Sequence, residues 1–261
     1  MPFARSNGIQ IHYEVHGEGE PVVLISGLGS QLGSWETQIP IYSEKFKVVV
    51  FDNRGAGTSE VTEPGFGIED MADDTTGLLD YLNLDSASFV GKSMGGMIAQ
   101  RIAIKHPGRV NKLVIGCSSS SRDKVGNFIL STSREIATKA GMKAVWAMAL
   151  LLGYTREYIE KNIENLNQKQ AGISEDEGAL KGYLGQLQAC QEHHSLEEIS
   201  KIKSDTLVIC GEKDLMTPAK KSMEMADRIP NCRFECFKDA GHGFWIEKQE
   251  EVDKLVMEFL S

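Results

Sequence analysis

The chain has 261 residues, 41% of them hydrophobic and 25% charged, and a formal net charge of -9. These values describe a soluble globular protein, long enough for one α/β domain with a sizeable insertion or for two small domains. The acidic balance argues against nucleic acid or an anionic membrane surface as the main partner, and leaves open the sign of a pocket.

No apolar run approaches the roughly 20 residues of a membrane span, and the stretch from Met1 to Gly8 lacks the apolar core of a signal peptide. Cys117, Cys190, Cys210, Cys232 and Cys236 show no paired spacing that reads as a metal knuckle. An odd number leaves at least one unpaired, and several lie in apolar runs. They read as reduced, mostly buried thiols of a cytoplasmic protein.

In chain order, Ile9 to Val15 alternates with period two between Asn7-Gly8 and Gly17-Glu18-Gly19, which predicts a half-exposed strand. Pro21 to Ile25 and Phe46 to Phe51 are continuous β-branched runs that suit parallel strands covered on both faces. Ile68, Met71, Ala72, Leu78, Leu79 and Leu82 fall close to helical spacing. Ser88 to Val90 predicts a strand, Met94 to Lys105 a helix, and Lys112 to Cys117 another strand. This alternation implies βαβ units and a parallel sheet. From about Ser118 to Ser200 the texture changes to helical stretches, including Ala140 to Leu152 and Glu157 to Leu166. Thr206 to Cys210 resumes the sheet, Arg233 to Phe237 adds a strand, and Glu250 to Leu260 closes with a helix. The expected organisation is a core of residues 1-117 and 201-261, with 118-200 inserted as a helical lid before the penultimate strand.

The chemistry centres on Gly91-Lys92-Ser93-Met94-Gly95-Gly96, where strand meets helix. A serine on so sharp a turn needs small residues two before and two after it, because its own backbone is strained. Its hydroxyl then projects from the end of the sheet, and the Met94 N–H lies at a helix N-terminus where it can stabilise an oxyanion. A serine hydroxyl needs a base, and the base an acid to hold its tautomer. Asp214 follows one late strand and His242, between Gly241 and Gly243, follows the next, so both reach the edge shared by parallel strand ends. Glu212 and Asp205 are rival acids on the same loop or strand. His12, His16 and His106 sit where structural roles suffice, whereas His193 and His194 could face a pocket. Ser26-Gly27-Leu28-Gly29 can turn amides inward after an early strand, with Leu28 the second oxyanion donor and Gly27 beside it. Trp35 and the insertion's Trp146 are candidates to line the pocket, although packing the lid onto the core is the plainer role for Trp146. Asp52-Asn53-Arg54-Gly55-Ala56-Gly57-Thr58-Ser59 lacks the ending of a phosphate-binding loop and reads as a structural turn between Asp52 and Arg54. No cluster has metal-ligand spacing, so no metal is expected.

Together these residues resemble the α/β-hydrolase superfamily from about Val15 to the C-terminus. The elbow with Met97-Ile98-Ala99-Gln100 and His106-Pro107-Gly108-Arg109-Val110, the Asp52 to Ser59 loop, and Gly241-His242-Gly243 resemble its 3-oxoadipate enol-lactonase-like and carboxylesterase-like branch. Ile25-Ser26-Gly27-Leu28-Gly29 is also similar to aminoacrylate hydrolases. The resemblance implies a mostly parallel sheet flanked by helices, and a cofactor-free serine hydrolase acting on a small or medium ester or lactone. Ser26 stands where many members have histidine, a difference the backbone donors tolerate. Ser93 excludes the branches with an aspartate nucleophile. Hydrolases of C–C bonds in ring-fission products share the triad and stay open, as does a non-catalytic ligand receptor on the same fold. A small-molecule substrate, with no nucleic acid or membrane partner, is expected, and a homodimer is compatible with it.

Overall fold

In a computed structural model, which describes residues 2–261, eight strands form one sheet in the order β1-β2-β4-β3-β5-β6-β7-β8. They are β1 (Phe3–Ser6), β2 (Ile9–His16), β3 (Glu20–Ile25), β4 (Phe46–Phe51), β5 (Ala87–Lys92), β6 (Val110–Gly116), β7 (Asp205–Gly211) and β8 (Cys232–Phe237). The β1–β2 and β2–β4 pairs are antiparallel and all others parallel. Short edge strand β1, which the sequence patterning does not announce, pairs with β2.

The β-branched runs form the centre because both faces are covered. In β3, Val23 and Ile25 join a core with Phe89, Met97 and Leu113, whereas Val22 and Leu24 join one with Trp35, Trp245 and Val256. Among the described residues, ten α-helices complete the fold: α1 (Ile39–Tyr42), α2 (Ile68–Tyr81), α3 (Met94–Lys105), α4 (Lys124–Ala140), α5 (Met142–Gly153), α6 (Arg156–Ala171), α7 (Glu177–Glu192), α8 (Ala219–Ala226), α9 (Phe244–Glu247) and α10 (Gln249–Leu260). Met94 through Ala103 of α3 are all buried, as expected of the helix that crosses behind the central strands.

Helices α4 to α7 run consecutively between β6 and β7 and contact the loops at the carboxyl ends of the strands. Gly243 N donates to Gly153 O at 2.8 Å, and Gln186 of α7 bonds both Gly29 N and Arg54 O at 2.8 Å. The chain moves outward from β3 to β4 and then returns to place β5 on β3's other side. The switch point therefore lies between the carboxyl ends of β3 and β5, where ligands of such sheets gather. No helix among the described residues is long and apolar enough to cross a membrane.

Candidate active site

Ser93 begins the turn from β5 into α3 at φ 57°, ψ -118°, a conformation that disfavours any side chain. Its surroundings hold it there. Ser93 N donates to Gly116 O at 2.8 Å, and Ser93 O accepts from Gly96 N at 3.0 Å and from Ser118 Oγ at 2.8 Å. The flanking glycines are required by contact: a Cβ on Gly91 would lie 2.3 Å from Gly95 O, and one on Gly95 would lie 2.1 Å from Ile25 O. Met94 is the first residue of α3, so its N–H has no acceptor within the helix.

Asp214 and His242 meet beyond β7 and β8. The His242 Nδ1 and Asp214 Oδ2 atoms are 2.7 Å apart. The other carboxylate oxygen accepts from Met216 N and Thr217 N, both at 2.8 Å, and Asp214 is buried. Two amides and a ring nitrogen thus fix the carboxylate. Burial alone would lower the His242 pKa, but the charge and hydrogen bond of Asp214, together with the Cys117 thiol alongside, raise it well above the ordinary imidazole value. The Ser93 hydroxyl makes no hydrogen bond to His242 among the described residues. Such pairs are commonly loose without substrate and tighten in the reactive complex.

The rival acids lie elsewhere. Glu212 accepts from Asp239 N at 3.2 Å at the surface, and Asp205 opens β7 at the opposite edge of the sheet. His242's own loop is clamped to the insertion by Glu247. That carboxylate accepts from Gly241 N at 2.6 Å on one oxygen, and from Thr155 N at 2.7 Å and Thr155 Oγ1 at 2.8 Å on the other.

The loop after β3 passes against the serine, where a Cβ on Gly27 would come within 3.3 Å of Ser93 Cβ. Leu28 is half-buried. Four side chains far away in sequence hold this loop: Asn53 on Ser26 O at 3.1 Å, Asp52 on Leu32 N at 2.7 Å, Gln186 on Gly29 N at 2.8 Å, and Lys92 on Ser34 O at 2.9 Å.

Several expected pocket residues lie elsewhere or play other roles. Trp35 does not line a pocket: it is fully buried against Trp245, ring centroids 5.5 Å apart and edge-on, because the loop folds its indole into the core under the sheet. His194 is at the surface, where its ring pairs with Glu197 and its backbone carbonyl accepts from Arg101. His193 is buried against Ser195, which bonds Gln100 at 2.7 Å; burial pushes the ring down to about 3, so it stays neutral and structural. Trp146 is half-buried on α5. The expected Asp52–Arg54 turn also divides differently. Arg54 forks onto Asp74 of α2 with two 2.6 Å bonds, whereas Asp52 serves Leu32 N, Thr58 N and His12. Each charge finds a better-oriented partner across the chain than its neighbour two residues away. Sequence reasoning missed Gln186, Glu247 and Lys92; only Lys92, inside the elbow motif, carried a local signal.

A serine at a strained strand-to-helix turn, with an oriented histidine–carboxylate pair at the same sheet edge, can carry out nucleophilic attack with general-base help. The α/β hydrolase fold family matches residues 20–249, and the chain belongs to that family. Over 96% of both chains it is 31% identical to a protein named "Putative carbamate hydrolase RutD" from Caulobacter segnis. Among solved structures it is similar to the enol-lactonase of Burkholderia xenovorans LB400, with TM-score 0.92 and 28% identity over 99% of each chain. It also resembles a thermophilic esterase of Thermogutta terrifontis, at TM-score 0.89 and 24% identity over 100% of this chain and 98% of that one, a likeness of fold.

Proposed function

We propose that this α/β hydrolase cleaves a carboxylic ester or lactone of a small to medium, largely apolar substrate through an acyl-enzyme on Ser93. The observation that carries the reading is the strained Ser93 turn at the same sheet edge as the 2.7 Å His242–Asp214 pair. His242 takes the serine proton during attack and returns it to the leaving group. Asp214 holds the ring with its other nitrogen toward Ser93 and stabilises the imidazolium. The amides of Leu28 and Met94 receive the oxyanion, and α4 to α7 serve as a lid whose Trp146 and neighbouring leucines exclude water. The lactonase and esterase among the similar structures fit an acyl-transfer reaction, and the carbamate-hydrolase name borne by the C. segnis relative adds carbamates to the substrates worth testing.

A fluorophosphonate probe should label the protein at Ser93, and Ser93→Ala should abolish both labelling and p-nitrophenyl ester turnover, leaving at most a residual rate of about 10³ over water. Unchanged turnover in Ser93→Ala would refute the reading. Profiling esters of rising acyl length, lactones, carbamates and ring-fission diketones then sets the bond class. Diketones cleaved orders of magnitude faster than any ester would replace ester hydrolysis by C–C hydrolysis.

A further inference from the structure

Lys92, immediately before Ser93, is half-buried, with its ammonium end in surroundings that strip much of its water. Its ammonium lies 3.7 Å from the centroid of the Trp35 ring and 6.0 Å from that of Trp245, and donates to Ser34 O at 2.9 Å. It forms no ion pair among the described residues. Asp253 of α10 acts on it only from a distance, and that carboxylate is already engaged by Tyr42 of α1 at 2.9 Å and Gln38 at 3.3 Å. The remaining ionisable neighbour is Cys117 at the end of β6. Burial pulls the ammonium down to about 8 despite the opposing influence of Cys117 and Asp253. A methionine of similar length would avoid that penalty while giving up the bond to Ser34 O and the contact of the charge with the Trp35 face. The Trp35 face and Ser34 O are the two contacts that hold the charge in this place.

Those contacts point to a role at the site. Ser34 and Trp35 lie in the loop that begins at Ser26 directly after β3. Ser34 Oγ is 3.0 Å from Ser26 Oγ, and Gly27 lies against Ser93. One side chain thus joins the residue preceding the nucleophile to the far end of the loop that carries Leu28. We propose that Lys92 is a positioning residue for the oxyanion hole: its ammonium, on Ser34 O and the Trp35 face, fixes the Leu28 amide relative to Ser93. This rests on the acyl-transfer reading above. Oxyanion contacts are made in the transition state, so the effect belongs in kcat rather than KM. Loss of a whole donor costs about 10²–10³ in rate; a displaced donor costs less.

The test measures the rate of fluorophosphonate labelling and p-nitrophenyl ester kinetics for wild type, Lys92→Met and Lys92→Arg, with Lys112→Met as control. Lys112 also donates to backbone carbonyls, those of Phe259 and Leu260, but away from Ser93. At pH 7, Lys92→Met should label and turn over about tenfold or more slowly, with KM within about twofold and Tm unchanged or higher. The ratio of wild-type to Lys92→Met rates should fall toward one as pH rises through about 8, where the wild-type lysine loses its charge; this ratio cancels the titration of His242. If Lys92→Met does not fold, Lys92→Arg supplies the same comparison, because its charge persists: its rate relative to wild type should climb above pH 8. A ratio within twofold at pH 7, or one that does not change with pH in either variant, overturns the proposal. Absence of wild-type labelling at Ser93 would instead overturn the acyl-transfer reading itself.

Discussion

At the scale of single residues, the proposed chemistry depends on how Asp214 and His242 alter one another. A base must be neutral to accept a proton. With its pKa raised well above the ordinary value, His242 should give an acylation rate that climbs with pH around a midpoint alkaline of about 6.5. Asp214→Asn removes the charge that raises it while burial remains, so the midpoint should move to lower pH, and the rate should drop by up to about 10⁴. Single-turnover acylation measured from pH 5 to 9 decides both points; a wild-type midpoint at or below 6.5 would contradict the role given to Asp214. The Ser93 turn and the meeting of Asp214 with His242 were legible in the sequence because each residue follows a strand, and parallel strand ends share an edge. Lys92, Gln186 and Glu247 were not legible in these roles. Gln186 meets Gly29 across 157 positions and Lys92 meets Ser34 across 58, distances over which local pattern carries no information.

At the scale of elements, the insertion docks through glycines. A Cβ on Gly182 of α7 would lie 1.9 Å from Gly55 O, and one on Gly185 would lie 2.7 Å from the Phe66 ring. These residues explain why α7 escaped the sequence reading. Glycine inside a helix costs about 1 kcal/mol relative to alanine and reads as a breaker, yet here it permits backbone to approach backbone. Gly182→Ala should therefore destabilise the protein by about 2 kcal/mol, the usual range for overpacking, despite its better helix propensity. It should slow catalysis as well, since α7 carries Gln186 onto the loop of Leu28. Gly108→Ala, where the added methyl group meets nothing within 4 Å, is the matched control and should stay within about 0.5 kcal/mol. Urea denaturation of the two variants makes the comparison, and equal stability would mean that α7 can shift away without loss.

At the scale of the whole molecule, the sheet and the insertion differ in how their helices are stabilised. The sheet was legible because runs such as Phe46 to Phe51 and Val22 to Ile25 have no use except in a strand buried on both faces. The insertion was legible only in part, because its helices rely less on a broad apolar face. In α6 only Leu166 is buried, and its surface ion pairs, Arg156 with Glu160 and Lys161 with Glu157, are highly exposed. Such i,i+4 pairs are worth about 0.3–0.5 kcal/mol each and weaken in salt. By contrast, α3 and β5 lie in the centre of the core. Local opening free energies run from near zero up to the global value according to such buried contacts. The amides of α6 should therefore exchange with solvent deuterium well before those of α3 and β5, with α7 between them because Gly182, Gly185 and Gln186 tie it to the core. Hydrogen-exchange mass spectrometry resolves these segments. If α6 stays protected as long as β5, the insertion opens only when the whole molecule unfolds, and substrate must reach Ser93 without any local opening of that helix.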